Sequence, residues 1–87
     1  MTDKLFPEAL TMDAISAEVV RARAKFPGTK HLLAALLEEA GELAAAMLQD
    51  LDRDEIEKEA IQVAAVAVRI IEEGDSAFDV KDWNTAK

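Results

Sequence analysis

The chain has 87 residues, a formal net charge of −8 and no cysteine. That length confines it to one domain, 1–87, and the lack of cysteine excludes a disulfide-stapled scaffold. The charge disfavours duplex nucleic acid and anionic membranes as partners.

A chain this short buries only about 60–65% of the surface it exposes when unfolded, so further copies are expected to supplement its core. The longest apolar stretch, Ala60 to Ile71, contains Gln62 and Arg69 and falls short of the about 20 residues that a bilayer span needs. The N-terminal stretch from Met1 to Pro7 has no apolar h-region, so no signal peptide is expected. The expected setting is the cytoplasm, with no membrane association.

Residues 1–10 read as irregular, with Pro7 as a breaker. Thr11 is the expected N-cap of a first helix, in which Ile15, Val19, Ala22 and Phe26 recur at helical spacing. Pro27-Gly28 ends it. Thr29 is the expected cap of a second helix running through Gln49, with a broad apolar face that includes Leu32, Leu33, Leu36, Leu37, Leu43, Ala44, Met47 and Leu48. Met47 reads as core filler and His31 as a surface or phosphate-side group.

Asp52, with Glu55 three residues on, predicts a capping box for a third helix from about Arg53 to Glu73, closed by Gly74. That helix is apolar nearly all round from Ala60 to Ile71, so a second subunit is expected to cover it. Glu55, Glu57, Glu72 and Glu73 read as surface charge. The folded core is expected over about 11–74. Residues 75–87 read as a tail, in which Ala77, Phe78, Val80 and Trp83 suit a short docking helix. The fold class is therefore all-α, a short antiparallel helical bundle of three main helices completed by oligomerisation.

One carboxylate breaks this pattern. Glu59 lies within about 60° of Ile56, Val63, Val66 and Ile70 on the helical wheel. An unpaired buried carboxylate costs several kcal/mol or protonates, roughly speaking, so Glu59 requires a partner. The second helix offers it more acids. Glu38, Glu42 and Glu39 lie at roughly 0°, 40° and 100° on their wheel, with Glu39 bordering the leucine face.

Folding the hairpin at Asp50-Leu51 sets Glu42 level with Glu59, and Glu39 level with Gln62. Three carboxylates and one amide oxygen then converge, with Glu38 close enough to serve a second ion or orient a water. All-oxygen ligation selects a hard cation, Mg²⁺ or Mn²⁺. Lys58 is the nearest cation to the acids along the chain. Lys25, Lys30 and Arg69 are further candidates for binding phosphate.

Glu38-Glu39-Ala40-Gly41-Glu42, sixteen intervening residues and then Glu59-Ala60-Ile61-Gln62 resemble the signature of the MazG-type all-α nucleotide pyrophosphohydrolases, E-E-x-x-E followed by E-x-x-D. The resemblance covers about Ile15 to Gly74. It implies hydrolysis of a nucleoside triphosphate to monophosphate and pyrophosphate, of the house-cleaning type, in a homodimer or homotetramer. It also implies Glu39, Glu42 and Glu59 as Mg²⁺ ligands and Glu38 as an auxiliary catalytic acid. Gln62 stands where the family pattern has Asp; its amide oxygen can ligate a hard ion but supplies no charge. That departure keeps a second expectation in view, a catalytically weak helical oligomerisation or regulatory module that binds nucleotide or a protein partner.

Overall fold

The computed structural model describes residues 8–78. These form three α-helices and no strand: α1 (Glu8–Lys25), α2 (Leu32–Leu48) and α3 (Arg53–Glu73). The all-α class expected from periodicity is the observed one. No described helix is long and apolar enough to cross a membrane.

α3 is bounded as its sequence dictates. The Asp52 Oδ1 accepts the Glu55 N–H at 3.0 Å, and Asp54 and Glu55 place negative charge in the first turn, where the helix dipole favours it. Gly74 ends the helix at φ 71°, a backbone conformation that favours glycine, and its N–H donates to the Ile70 carbonyl at 2.9 Å.

The other two helices begin elsewhere than their local cap signals suggest. α1 starts at Glu8, so Thr11 lies inside it and residues 8–10 are helical rather than irregular. Glu8, Ala9 and Leu10 are all strong helix formers, and propensity outweighs a lone capping threonine. α2 starts at Leu32, with His31 at its N-cap in the left-handed conformation, φ 73°. Thr29 does not cap it. The cap comes from more than forty residues away: Asp75 Oδ1 accepts the His31 N–H at 3.0 Å, and Asp75 Oδ2 accepts the Leu33 N–H at 2.7 Å.

α2 ends in a Schellman turn. The Leu51 N–H donates to the Ala46 carbonyl at 3.0 Å and the Asp50 N–H to the Met47 carbonyl at 3.2 Å. Asp50 occupies the left-handed position at φ 56°, which glycine more often fills.

α3 is the middle element. Both α1 and α2 pack on it, and among the described residues they do not pack on each other. Residues 61–70 of α3 are all buried or half-buried, with Ala65 and Arg69 the most enclosed. α1 and α2 take up much of the apolar surface of the third helix, while Ala60 and Ile71, the two ends of its apolar stretch, stay exposed. Uncovered apolar side chains lie on all three helices, including Leu10, Met12 and Val20 on α1 and Ile71 on α3. Met47, expected in the core, is exposed, as are Leu33, Leu37 and Leu48. Among the described residues, the buried apolar side chains are Val19, Leu32, Ala46 and Ala65, one or two from each helix.

An ion-pair network closes the end of the molecule where α1 and α3 finish. The Arg69 side chain is 3% exposed and donates to Glu73 at 3.0 and 2.9 Å, and to the Gly28 carbonyl at 3.2 Å. Arg23 of α1 donates to both Glu72 and Glu73. Glu73, read from sequence as surface charge, is thus the shared acceptor of two arginines. Ala77 and Phe78 lie in an exposed turn rather than a docking helix, and Val80 and Trp83 lie outside the described residues.

Candidate metal centre

Glu39 and Glu42 stand three residues apart on α2, and Glu59 stands in the second turn of α3. Each offers an oxygen, and these oxygens lie within 4.8 Å of one another. The antiparallel α2–α3 pairing across the 49–52 turn produces this meeting, in the register expected from counting outward from the turn. Glu39 and Glu59 are half-buried, and Glu42 is exposed.

The electrostatics of this cluster are unfavourable as they stand. Glu39 Oε1 and Glu59 Oε1 are both shielded from solvent and have no hydrogen-bond partner. Burial pushes the Glu39 carboxyl above the usual carboxylate range, and repulsion from Glu42, Glu59 and Glu38 adds to it. Burial likewise raises Glu59, reinforced by Glu42. Lys58 is the cation that opposes this at Glu59, and Glu55 adds to the repulsion. Two orphaned oxygens within a cluster of three carboxylates fit a hard cation, which would supply a partner for each. Glu39, Glu42 and Glu59 would hold it.

The cluster borders a groove of about 600 Å³ between α1 and α2, floored by α3. Gln62, Ala65, Val66 and Arg69 form the floor, while Glu38 and Glu39 stand on the α2 wall. Gln62 therefore lies one turn beyond Glu59 and in the same groove as Glu39, as its spacing predicts. The opposite wall and the loop end carry Arg21, Lys25, Lys30 and His31. Lys25 Nζ sits 5.4 Å from the centre of the Phe26 ring. From Leu32 to Glu39 the α2 wall rises roughly 10 Å, so the groove runs from a basic end to an acidic one.

The candidate cations separate into two kinds. Lys25 and Lys30 are exposed and reach the groove. Arg69 also lines it, yet its donors are directed at Glu73 and Gly28, so it supports the floor. Lys58 is exposed and lines a shallower depression between α1 and α3, together with Gln62. Arg21, which sequence reasoning passed over, lines both recesses and pairs with Glu18. Asp75 was also passed over, and Glu73 was read only as surface charge. The i,i+4 spacing of Arg69 and Glu73 was a readable signal for their pair; the reach of Asp75 to α2 had none in local sequence.

Comparison with protein-family models, curated proteins and solved structures returns no significant match.

Proposed function

We propose that this chain is a divalent-cation-dependent nucleoside triphosphate pyrophosphohydrolase of the MazG type. The observation that carries the reading is the pair of shielded, partnerless oxygens on Glu39 and Glu59, converging with Glu42 at the acidic end of a groove whose other end is basic. A partly buried like-charge cluster is unfavourable unless a cation compensates it. A triphosphate, itself strongly anionic, would be repelled by a chain of net charge −8 without such a cation.

The residues divide the work as follows. Glu39, Glu42 and Glu59 would hold Mg²⁺ or Mn²⁺, with the Gln62 amide oxygen available as a neutral donor nearby. A bound ion would supply charge neutralisation on the phosphates and a more acidic water. Lys25 and Lys30 hold the phosphate chain from the basic end. Glu38, exposed on the groove wall beside Glu39, accepts the proton of the attacking water. A bond forms from that water to the α-phosphorus, the α–β bridging bond breaks, and pyrophosphate leaves with the electron pair.

A second reading rests on Gln62. With a neutral amide in place of a fourth carboxylate, the same groove serves a nucleotide-binding or regulatory module with little turnover. One experiment separates the two: pyrophosphate release from a panel of ribo- and deoxynucleoside triphosphates in Mg²⁺, Mn²⁺ or EDTA. The enzyme reading expects metal-dependent release that Glu59→Gln reduces by at least about a hundredfold, the scale of losing one principal electrostatic contributor. The module reading expects a metal-dependent rise in melting temperature without release, with release appearing in Gln62→Asp. No metal response in either assay would refute the metal centre.

A further inference from the structure

α1 and α3 run side by side in the same direction. Ala14 shares a depression with Glu57 and Ile61, whereas Arg23 near the end of α1 bonds Glu72 and Glu73 at the end of α3. Glu18 and Arg21 therefore fall near the height of Gln62, and all three line both the main groove and the shallower depression beside it. Gln62 is one turn from Glu59 and level with Glu39. Arg21 is thus the groove cation of α1 nearest the acidic end. Lys25 lies roughly 6 Å further toward the basic end, at about 1.5 Å per residue.

The bonds of Arg21 differ in kind from those of Arg23 and Arg69, which tie separate elements together. Its Nε donates to Glu18 Oε1 at 2.9 Å and its Nη2 to Glu18 Oε2, a bidentate fork on a carboxylate one turn back in the same helix. The Arg21 side chain is 54% exposed. An exposed ion pair at this spacing adds little to the stability of a fold. Nor does Arg21 satisfy the acids across the groove. Glu39 lines the same groove, yet its shielded Oε1 has no hydrogen-bond partner. The guanidinium is therefore charged, close to the cluster, and held only by its own helix. A phosphate group presents two oxygens to such a fork much as a carboxylate does, and carries more charge, so it can take the place of Glu18.

We propose that Arg21 clamps the β- and γ-phosphates, the part that departs as pyrophosphate, and that Glu18 is the carboxylate which the incoming phosphate displaces from it. This assignment rests on the pyrophosphohydrolase reading of the site. Exchanging one bidentate partner for another disturbs no contact between elements, because the Glu18 pair is exposed and local.

Isothermal titration calorimetry of the full chain with inorganic pyrophosphate in excess Mg²⁺ tests this. Circular dichroism checks folding, and the Mg²⁺-dependent rise in melting temperature reads the metal centre separately. Arg21→Gln is expected to raise the pyrophosphate dissociation constant by at least about tenfold and to leave the metal-dependent rise in place. Arg21→Lys is expected to recover only part of that loss, because a point charge replaces a fork. Glu18→Gln is expected to tighten binding by about threefold or more, and to do less in Glu18→Gln/Arg21→Gln, since the carboxylate competes for that guanidinium. Undiminished binding in Arg21→Gln would overturn the clamp, and full recovery in Arg21→Lys would overturn its bidentate character. Weaker binding in Glu18→Gln, or equal tightening with and without Arg21, would overturn the displacement of Glu18. A wild type that responds to metal but binds no pyrophosphate would overturn the proposal and leave the metal centre standing. A wild type with neither response would overturn the reading of the site along with it.

Discussion

At the scale of single residues, the titration of this protein runs in two directions. Glu39 and Glu59 have folded-state pKa values raised by burial and by their acidic neighbours. Between the ordinary carboxylate value of 4.5 and those raised values, the native state holds more protons than the unfolded chain. Stability without metal therefore falls as pH rises through that window. Glu73 behaves oppositely: hydrogen bonds from Arg69 lower it, with Arg23 adding to them, so its contribution is present above the ordinary value and is lost as pH falls through the lowered one. Melting in EDTA should show a temperature that declines from mildly acidic toward neutral pH. Glu59→Gln should flatten that decline and raise the melting temperature near neutrality. A melting temperature that climbs over the same window in both proteins would contradict the assignment.

At the scale of elements, the two ends of α2 are held by unlike means. Its C-terminal end is closed locally by the Schellman turn. Its N-terminal end depends on Asp75, whose carboxylate accepts the amides of His31, Leu33 and Ala77 and is held below the usual carboxylate range chiefly by the Leu33 bond. Asp75 follows the glycine that ends α3, so one side chain joins the finish of the third helix to the start of the second. Asp75→Ala should lower the melting temperature by a few degrees and increase hydrogen exchange at the first amides of α2. Asp75→Asn, which keeps one acceptor oxygen, should recover part of the loss. Unchanged exchange at Leu33 in the alanine variant would show that the cap contributes little.

At the scale of the molecule, α3 serves as the spine and Arg69 as its fastening. The guanidinium joins α3 to the loop between α1 and α2 through Gly28, and shares Glu73 with Arg23 of α1. These contacts hold the basic end of the groove in place relative to the acidic end. Arg69→Met keeps much of the side-chain volume and removes every one of these bonds, leaving Glu73 to Arg23 alone. The expected cost is about 3 kcal/mol, at the lower edge of the range for breaking a buried pair, since Arg23 still compensates the remaining acid. Denaturant unfolding measures this directly. A loss below about 1 kcal/mol would place Arg69 among ordinary surface ion pairs.

Periodicity, capping boxes and spacing carried the helical class, the full extent of α3, and the convergence of Glu39, Glu42 and Glu59. These are local or nearly local properties. Helical period and cap chemistry act within a few residues, and a tight turn sets the register of two antiparallel helices by counting alone. Three features required the tertiary structure. Asp75 caps a helix whose start is more than forty residues earlier, and no local rule links the two. Arg69, expected at a substrate, is turned toward Glu73 and Gly28 because the end of α1 and its following loop close over it. Leu37 and Met47 belong to the same apolar helix as the buried Leu32 and Ala46, and sequence reads them as one broad face. The packing of α2 on α3 divides that face in two, since a helix lying against one neighbour can bury only the arc that faces it.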